Sequence, residues 1–171
     1  MVGNGGHDWF WEPNRGHLIY PLDKLVEMNY NSVGHNTSLI LGVTPGPDGL
    51  MPARDVKRLK EFGDEIKRRF SNPIAFTSGA GKKNNLKLPE RQSINQVVLM
   101  ENISTGERIR AFVLEGKTKK GWQIIFEGSC IGHKFIHRFD DLEVSEVRLK
   151  IGESRGDPDI RKFSVYWTDE K

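Results

Sequence analysis

Two histidines, His133 and His137, are the residues of this sequence whose spacing first suggests chemistry. They lie four residues apart in a stretch that is typical of a β-strand, so we expect both imidazoles on one face, where they could bind a metal ion. A metal site needs a third ligand, and Asp140 and Asp141 fit that need only loosely. The pattern favours two half-exposed histidines, and we expect neither a metal nor a cofactor.

A second short segment, Ser78–Lys83, resembles a phosphate-binding loop only superficially. Phe76 stands where that motif needs its first glycine, and Lys83 stands where it needs the hydroxyl that binds Mg²⁺. The segment therefore indicates no nucleotide site.

The overall charge and hydropathy exclude several classes of protein. The net charge is +3, from 26 basic and 23 acidic residues, and the basic residues of Arg54–Arg69 are interleaved with acidic ones. Such interleaving is typical of a solvated helix face, so we expect no nucleic-acid partner. No apolar run approaches the ~20 residues of a membrane-spanning helix, so no membrane segment is expected. The single cysteine, Cys130, excludes an internal disulfide.

The first part of the chain, residues 1–70, has helical periodicity around one apolar segment. Apolar residues at three- and four-residue steps predict a helix from Leu22 to Val33 and another over Val56–Phe70. Gly34 is expected to end the first helix in a left-handed conformation, and Asn36 to cap or bridge backbone groups into the next strand. Leu39–Val43 is apolar on both faces and predicts a strand buried on both sides, as in a parallel barrel.

This order of helix, buried strand, loop and helix predicts one and a half βα units. Such units do not close a sheet alone, so Leu39–Val43 is expected to expose apolar surface unless neighbouring strands are supplied. Residues 1–70 are accordingly expected to be less stable than the remainder. The proline-rich loop Thr44–Gly49 would lie at the carboxyl end of a barrel strand, where barrel active sites are built.

The second part, residues 71–171, alternates apolar and polar residues with a period of two. This alternation predicts several short antiparallel strands and a β-sandwich, with the polar stretch Ser71–Glu90 as a linker or long loop. The predicted strands are Ile109–Val113, Trp122–Phe126, Phe135–Arg138, Val147–Ile151 and Phe163–Trp167.

Several segments resemble, in the same order, the end of the catalytic barrel of family 29 glycoside hydrolases, the α-L-fucosidases, in the branch that acts on α-1,3/1,4-linked fucose. In that family an aromatic triplet precedes a helix end with a Ser-Val-Gly pattern, a strand with a proline-rich loop and an Arg-Leu-Lys-Glu-Phe-Gly helix. The matching segments here are Trp9–Trp11, Tyr30–Asn36, Leu39–Pro45, Gly49–Leu50 and Asp55–Gly63.

The second part resembles the discoidin-like sandwich that follows the barrel in the same enzymes. The matching segments are Val97–Ile103, Gly106–Ile109, Gly121–Trp122, Ile131–Lys134, Val147–Leu149 and Glu153–Arg155. The resemblance implies the terminal βα units of a (β/α)8 barrel over residues 1–70, followed by an all-β, discoidin-like (galactose-binding-like) antiparallel sandwich over residues 71–171.

The resemblance also implies hydrolysis of terminal α-L-fucose from glycans with retention, which requires two carboxyl groups about 5–5.5 Å apart. The family's nucleophilic aspartate and acid/base glutamate match no residue here and would lie upstream of Met1, so this chain alone is expected to be inactive. Trp9 matches an aromatic position of the fucose pocket, where a ring packs against an apolar sugar face, and Trp11 is a weaker candidate. The alternative is that Trp9, Phe10 and Trp11 fill core space. His7 could lie nearby.

Two further expectations follow from the resemblance. The partners would be a fucosylated glycan and the missing N-terminal part of the barrel, and the parent enzyme would be periplasmic or secreted. The alternative is a carbohydrate-binding β-sandwich without catalytic activity, for which Trp122 is a candidate contact, although a place in the core suits Trp122 equally well.

Overall fold

The computed structural model describes residues 10–169. Two α-helices precede a six-stranded antiparallel sheet. The helices are α1 (Leu22–Asn31) and α2 (Ala53–Phe70), and single 3-10 turns lie at Gly16–Leu18 and Ile103–Thr105. The strands are β1 (Ala75–Ala80), β2 (Lys83–Glu101), β3 (Ile109–Thr118), β4 (Gly121–Gly128), β5 (Phe135–Ser154) and β6 (Asp159–Tyr166).

The sheet folds over itself into a β-sandwich because two of its strands are long enough to belong to both layers. The strand order is β1-β6-β2-β5-β3-β4, and β2 and β5 have 19 and 20 residues. The first part of β2 pairs with the second half of β5, at Leu86 and Val147, while its second part pairs with the start of β5, at Leu99 and Phe135. Register shifts lie between these two regions, where the strands can bend.

The main core lies between the two layers. Alternate residues of every long strand point into it, as the period of two requires. Its members include Leu86, Ile94, Val97, Leu99, Phe112, Leu114, Phe135, Val147, Leu149, Phe163 and Val165. Burial of this apolar surface is the dominant stabilising contribution of the domain.

A smaller apolar cluster joins the two helices to the outer face of the sheet. Val26 and Tyr30 of α1 pack against Val98, Ile136 and Tyr166, which point away from the main core. The Phe70 ring at the end of α2 meets Tyr166 edge-on, with centroids 5.9 Å apart. The outer face of β2, β5 and β6 is therefore a second packing surface rather than a solvated one.

The predicted strand at Leu39–Val43 is wrong for the described structure. These residues form no strand, and the Ile40 side chain is 89% exposed. A strand that is apolar on both faces needs neighbours on both edges to pair its backbone groups, and the six described strands all pair among themselves. The apolar residues of this segment consequently remain without a core.

The predicted linker Ser71–Glu90 is also wrong, because it contains β1 and the start of β2. Asn84, Leu86 and Leu88 are buried while the residues between them are exposed, so only one face of this polar segment contributes to the core. Gly79 and Gly81 have positive φ angles of 156° and 105° near the turn between the strands.

The antiparallel β-sandwich and both predicted helices are confirmed. The predicted strands at Ile109–Val113, Trp122–Phe126, Phe135–Arg138, Val147–Ile151 and Phe163–Trp167 fall within or at the end of observed ones. Among the described helices, neither has the length and apolar character needed to cross a bilayer.

Candidate functional site

Of the two predicted sugar contacts, the structure describes Trp11 but not Trp9, which lies outside the described residues, as does His7. Trp11 is half-buried, and its indole lies beside the proline-rich loop: a Cβ at Gly46 would come within 3.9 Å of Trp11 Nε1. The structure thus brings Trp11 together with the loop that the sequence placed at the rim of a barrel active site.

The proline-rich loop is held by its own hydrogen bonds. Gly46 N donates to Leu50 O at 2.8 Å, and Leu50 N donates to Asp48 Oδ1 at 3.0 Å, which closes the turn. Gly49 has a φ of 76°, a left-handed conformation that glycine adopts without a steric penalty. The loop beside Trp11 is therefore closed by bonds among its own residues.

Several large apolar side chains in the segments that contain Trp11 and this loop are exposed. Phe10 is 82% exposed, Leu50 67% and Met51 44%. Together with Ile40 they give the segment around the loop an apolar surface that the described residues leave uncovered. Exposed large apolar side chains mark ligand-binding or protein-binding regions where they form a contiguous patch.

A short connection anchors α1, and with it this region, to β5. Ile136 N donates to Gly34 O at 2.9 Å, Asn36 N donates to Lys134 O at 3.1 Å, and Lys134 N donates to Asn36 Oδ1 at 2.8 Å. Asn36 does bridge backbone groups, but to Lys134 just before β5, 98 positions away, and not to the strand that was expected to follow it. The left-handed residue is Asn36, with a φ of 66°, and not Gly34 as predicted.

Gly34 is instead required because α1 and β5 approach each other closely at this position. A Cβ there would collide with the carbonyl oxygen of Tyr30 and lie 3.1 Å from Ile136 Cβ. A larger residue would force α1 away from the sheet.

A buried polar chain links both helices to the sheet. Tyr30 Oη donates to Gln96 Oε1 at 2.5 Å, and Arg69 Nη1 donates to Tyr30 Oη at 3.3 Å. Arg69 Nε donates to Glu65 Oε1 at 2.7 Å, and Arg68 donates to the same carboxylate. Hydrogen bonding from Arg68, reinforced by Arg69, lowers the pKa of Glu65 from 4.5 to about 2, against the opposing effect of burial.

A second ion pair ties α1 to β5 next to this chain. Arg138 Nη2 donates to both Glu27 carboxylate oxygens, at 2.8 and 3.0 Å, and its guanidinium carbon lies 4.0 Å from the centroid of the Tyr30 ring. Planar stacking of arginine on an aromatic ring adds to the ion pair. The relative position of α1 and the sandwich is thus fixed by packing, hydrogen bonds and charge together.

The two histidines considered as metal ligands do not share a strand face. His133 is exposed and precedes β5, whereas His137 lies within β5 with its ring 4.3 Å from that of Phe126. Burial lowers the pKa of His137 below 6.5, and the proximity of His35 lowers it further. Among residues 10–169, no group of three or more His, Cys, Asp or Glu side chains could hold a metal ion.

Trp122, the candidate sugar contact of the sandwich, is half-buried at the start of β4. The Arg148 guanidinium carbon lies 3.9 Å from the centroid of its ring, and Arg148 is also paired with Glu115 at 2.7 Å. One face of the indole is therefore covered by a paired arginine, which makes Trp122 a packing residue of the sheet surface.

Trp167 is the functional candidate that the sequence pattern missed. Alternation with Phe163 and Val165 predicted it on an apolar face, but β6 ends at Tyr166 and Trp167 is 48% exposed. Its indole Nε1 donates to both Asp141 oxygens, at 3.1 and 3.2 Å. No local sequence signal connects these two residues, because Asp141 lies within β5 and Trp167 follows β6, 26 positions later.

Comparison with known proteins gives a consistent result. The sequence matches no family model. It is 30% identical over 195 aligned residues to alpha-L-fucosidase 1 of Arabidopsis thaliana, covering 92% of this chain and 38% of the plant protein. The chain thus spans well under half the length of this curated relative.

Solved structures extend this similarity to the fold. A protein of Bacteroides thetaiotaomicron described as a candidate alpha-L-fucosidase shares 49% sequence identity with a TM-score of 0.93, over 97% of this chain and 38% of that one. The GH29 fucosidase E1_10125 of Ruminococcus gnavus, solved in complex with fucose, has the same fold, with a TM-score of 0.82 and 24% identity over 99% of this chain and 40% of that one.

Helices, connection and sandwich are all included in these alignments, which cover nearly the whole chain. The chain is homologous to the C-terminal region of alpha-L-fucosidases, and solved structures that share its fold include fucosidases of glycoside hydrolase family 29.

Proposed function

We propose that this chain is the C-terminal region of a retaining α-L-fucosidase that removes terminal α-L-fucose from glycans, in the branch acting on α-1,3/1,4 linkages. The observation that carries the proposal is the 49% identity to the Bacteroides thetaiotaomicron protein over 97% of this chain. Residues 1–70 would form the last βα units of the catalytic barrel, and residues 71–171 the discoidin-like sandwich that braces them.

In this proposal the catalytic carboxylates belong to the barrel upstream of this chain. A retaining glycosidase needs one carboxylate as nucleophile and one carboxyl group as acid/base, held about 5–5.5 Å apart. The contribution of this chain is to complete the pocket. Trp9 would pack against the apolar face of fucose that carries the C6 methyl group, and Trp11 would support it from the loop at Gly46.

The exposed apolar segment supports the same proposal. Leu39–Val43 carries the apolar pattern of a strand buried on both faces but forms no strand here, and Ile40 is 89% exposed. The N-terminal part of the barrel is the partner that would supply the missing edges and cover this surface. The sandwich would hold the segment in place through Gly34 and Asn36.

A chimera tests the proposal. The N-terminal part of the Bacteroides thetaiotaomicron relative, joined to this chain at the aromatic triplet, is expected to hydrolyse 4-nitrophenyl α-L-fucoside, whereas this chain alone is expected to show no turnover. In the chimera, Trp9→Ala should lower kcat/KM by about 10- to 100-fold, as expected for loss of a substrate contact that persists in the transition state. Trp11→Ala should have a smaller effect.

Trp122→Phe is the matched control, because Trp122 packs against Arg148 on the sandwich, and it should leave kcat/KM of the chimera unchanged. A folded chimera without activity, or turnover by this chain alone, would contradict the proposal.

A further inference from the structure

A pocket lies in the sandwich at the end of β6. It has a volume of about 290 Å³ and is lined by Asn95, Arg138, Asp140, Asp141 and Trp167. This volume is just below the ~300–1,000 Å³ found for sites of drug-sized molecules, a size that suits a single sugar ring.

The pocket is built by a local irregularity in the pairing of the two long strands. Ile94 pairs with Leu142 and Gln96 with Arg138, so the single residue Asn95 of β2 lies opposite the three residues Phe139–Asp141 of β5. The extra residues form a bulge, which redirects side chains that a regular ladder would place on alternate faces. The bulge brings Asp140 and Asp141 to the position where β6 ends.

Asn95 fixes the backbone beyond β6. Its Nδ2 donates to Thr168 O at 2.8 Å and its Oδ1 accepts from Thr168 N at 3.0 Å, so the side-chain amide pairs with the backbone as a neighbouring strand would. The same Nδ2 donates to Asp141 Oδ1 at 3.0 Å. Thr168 is buried as a result, whereas Trp167, one residue earlier, points outward.

Asp141 completes the arrangement by orienting the indole. Both of its oxygens accept from Trp167 Nε1, which satisfies the one polar group of a side chain that is 48% exposed. The ring is therefore held at its edge. A large aromatic surface is fixed in an accessible position beside polar groups.

We propose that this pocket binds a terminal pyranose of a glycan, at a site independent of the fucosidase activity proposed above. The apolar C–H face of the sugar stacks on the Trp167 ring, and its hydroxyl groups donate to Asp140 and to the remaining lone pairs of Asp141. The Asp140 carboxylate is exposed and makes no hydrogen bond or ion pair with the described residues, so it can accept from a ligand without losing an internal partner.

The charges at the pocket favour a hydroxyl-rich ligand over an ion. Arg138 lines the same pocket as Asp140 and Asp141, and Asp169 beside it is paired with Arg68. The aspartates would attract a cation, but the arginine would repel it. The arginine would attract an anion, but the aspartates would repel it. Hydroxyl groups, which both donate and accept, are compatible with both kinds of side chain.

The test follows the indole N–H signal of Trp167 in proton–nitrogen correlation spectra of the full chain, assigned by its loss in Trp167→Phe. The probes are methyl α-L-fucopyranoside, methyl β-D-galactopyranoside, methyl α-D-glucopyranoside and N-acetylglucosamine. At least one is expected to shift this signal saturably, with a Kd on the order of 1 mM or tighter. No saturable shift with any of the four would overturn the proposal.

Two variants separate binding at this pocket from binding elsewhere. Trp167→Ala should weaken binding by about tenfold or more, measured by calorimetry, and Asp140→Asn by about threefold or more, since Asp140 is not needed for the fold. Trp122→Phe is the matched control and should bind as the unmodified chain does. Equal affinity in Trp167→Ala, or a shift seen with methylguanidinium but with none of the sugars, would also overturn the proposal.

Discussion

The hydroxyl of Tyr30 donates to Gln96 Oε1 across a distance of 2.5 Å, and both side chains are buried where α1 meets β2. Sixty-six positions separate the two residues in sequence. This bond, with the Arg69 donor to the same hydroxyl, joins the two helices to the sandwich in one polar connection. It gives the interface a specific arrangement that apolar packing alone would not impose.

Tyr30→Phe should destabilise the chain by about 1–3 kcal/mol, because removal of the hydroxyl leaves the buried Gln96 amide without its partner. Urea unfolding followed by circular dichroism would measure the change. Tyr20→Phe is the matched control, because the hydroxyl of Tyr20 has no hydrogen-bond partner among residues 10–169, and it should alter stability by less than about 0.5 kcal/mol. Equal stability of the two variants would contradict the role given to the Tyr30 bond.

Gly34→Ala should destabilise the chain by about 1–3 kcal/mol, because the added Cβ collides with the Tyr30 carbonyl and crowds Ile136. Gly63→Ala is the control, because the change in stability expected for it has the opposite sign. Gly63 lies within α2, and a Cβ added there would meet no atom within 4 Å, so alanine should stabilise by about 0.5–1 kcal/mol. Thermal unfolding of both variants would measure these changes in stability. Unchanged stability of Gly34→Ala would show that α1 can move away from the sheet without cost.

The stability of the helix–sheet interface should fall in acid because of Glu65. Its folded pKa of about 2 lies below the ordinary value of 4.5, so its contribution is fully present above pH 4.5 and is lost as the pH falls toward 2. The loss should be on the order of 1–3 kcal/mol. Urea unfolding between pH 5 and about 2.5 would measure it.

Glu65→Gln is the control for this pH dependence. It removes the titrating group while keeping the size of the side chain, so its stability should be lower at neutral pH and should change less over the same range. A variant with the same acid dependence as the unmodified chain would assign the effect to other carboxylates.

Amide hydrogen exchange should be faster in the connection between the two helices than in the central strands of the sheet. Residues 37–52 contain no strand or helix, and Ile40 and Leu50 are exposed, whereas β2 and β5 form the centre of the sheet. Amides of residues 37–52 should therefore exchange much faster than those of β2 and β5. Protection in this segment equal to that of β5 would contradict the picture of an apolar segment without neighbours.

Local sequence determined much of the secondary structure. Apolar residues at three- and four-residue steps predicted both helices. Alternation around Val147–Ile151 and Ile109–Val113 predicted the central strands. Both predictions work because the burial of residues in a regular element repeats with the period of that element. The side chain of Asn36 was expected to bond backbone groups, but its partner, Lys134, lies 98 positions away and could not be read from the sequence. The resemblance to the related enzymes depends partly on these segments and partly on Trp9–Trp11 and Leu39–Pro45, which lie outside the helices and strands that were predicted correctly.

Only the tertiary structure decided which faces and segments find partners. Leu39–Val43 has the composition of a buried strand but forms none, since a strand exists only through its neighbours. Tyr166 follows Val165, which points into the main core, yet Tyr166 is also buried because α1 and α2 cover the other side of the sheet. Trp167 and Asp141 meet through a bulge between distant parts of the chain. Periodicity reports how an element repeats, whereas contacts between distant residues depend on where whole elements pack.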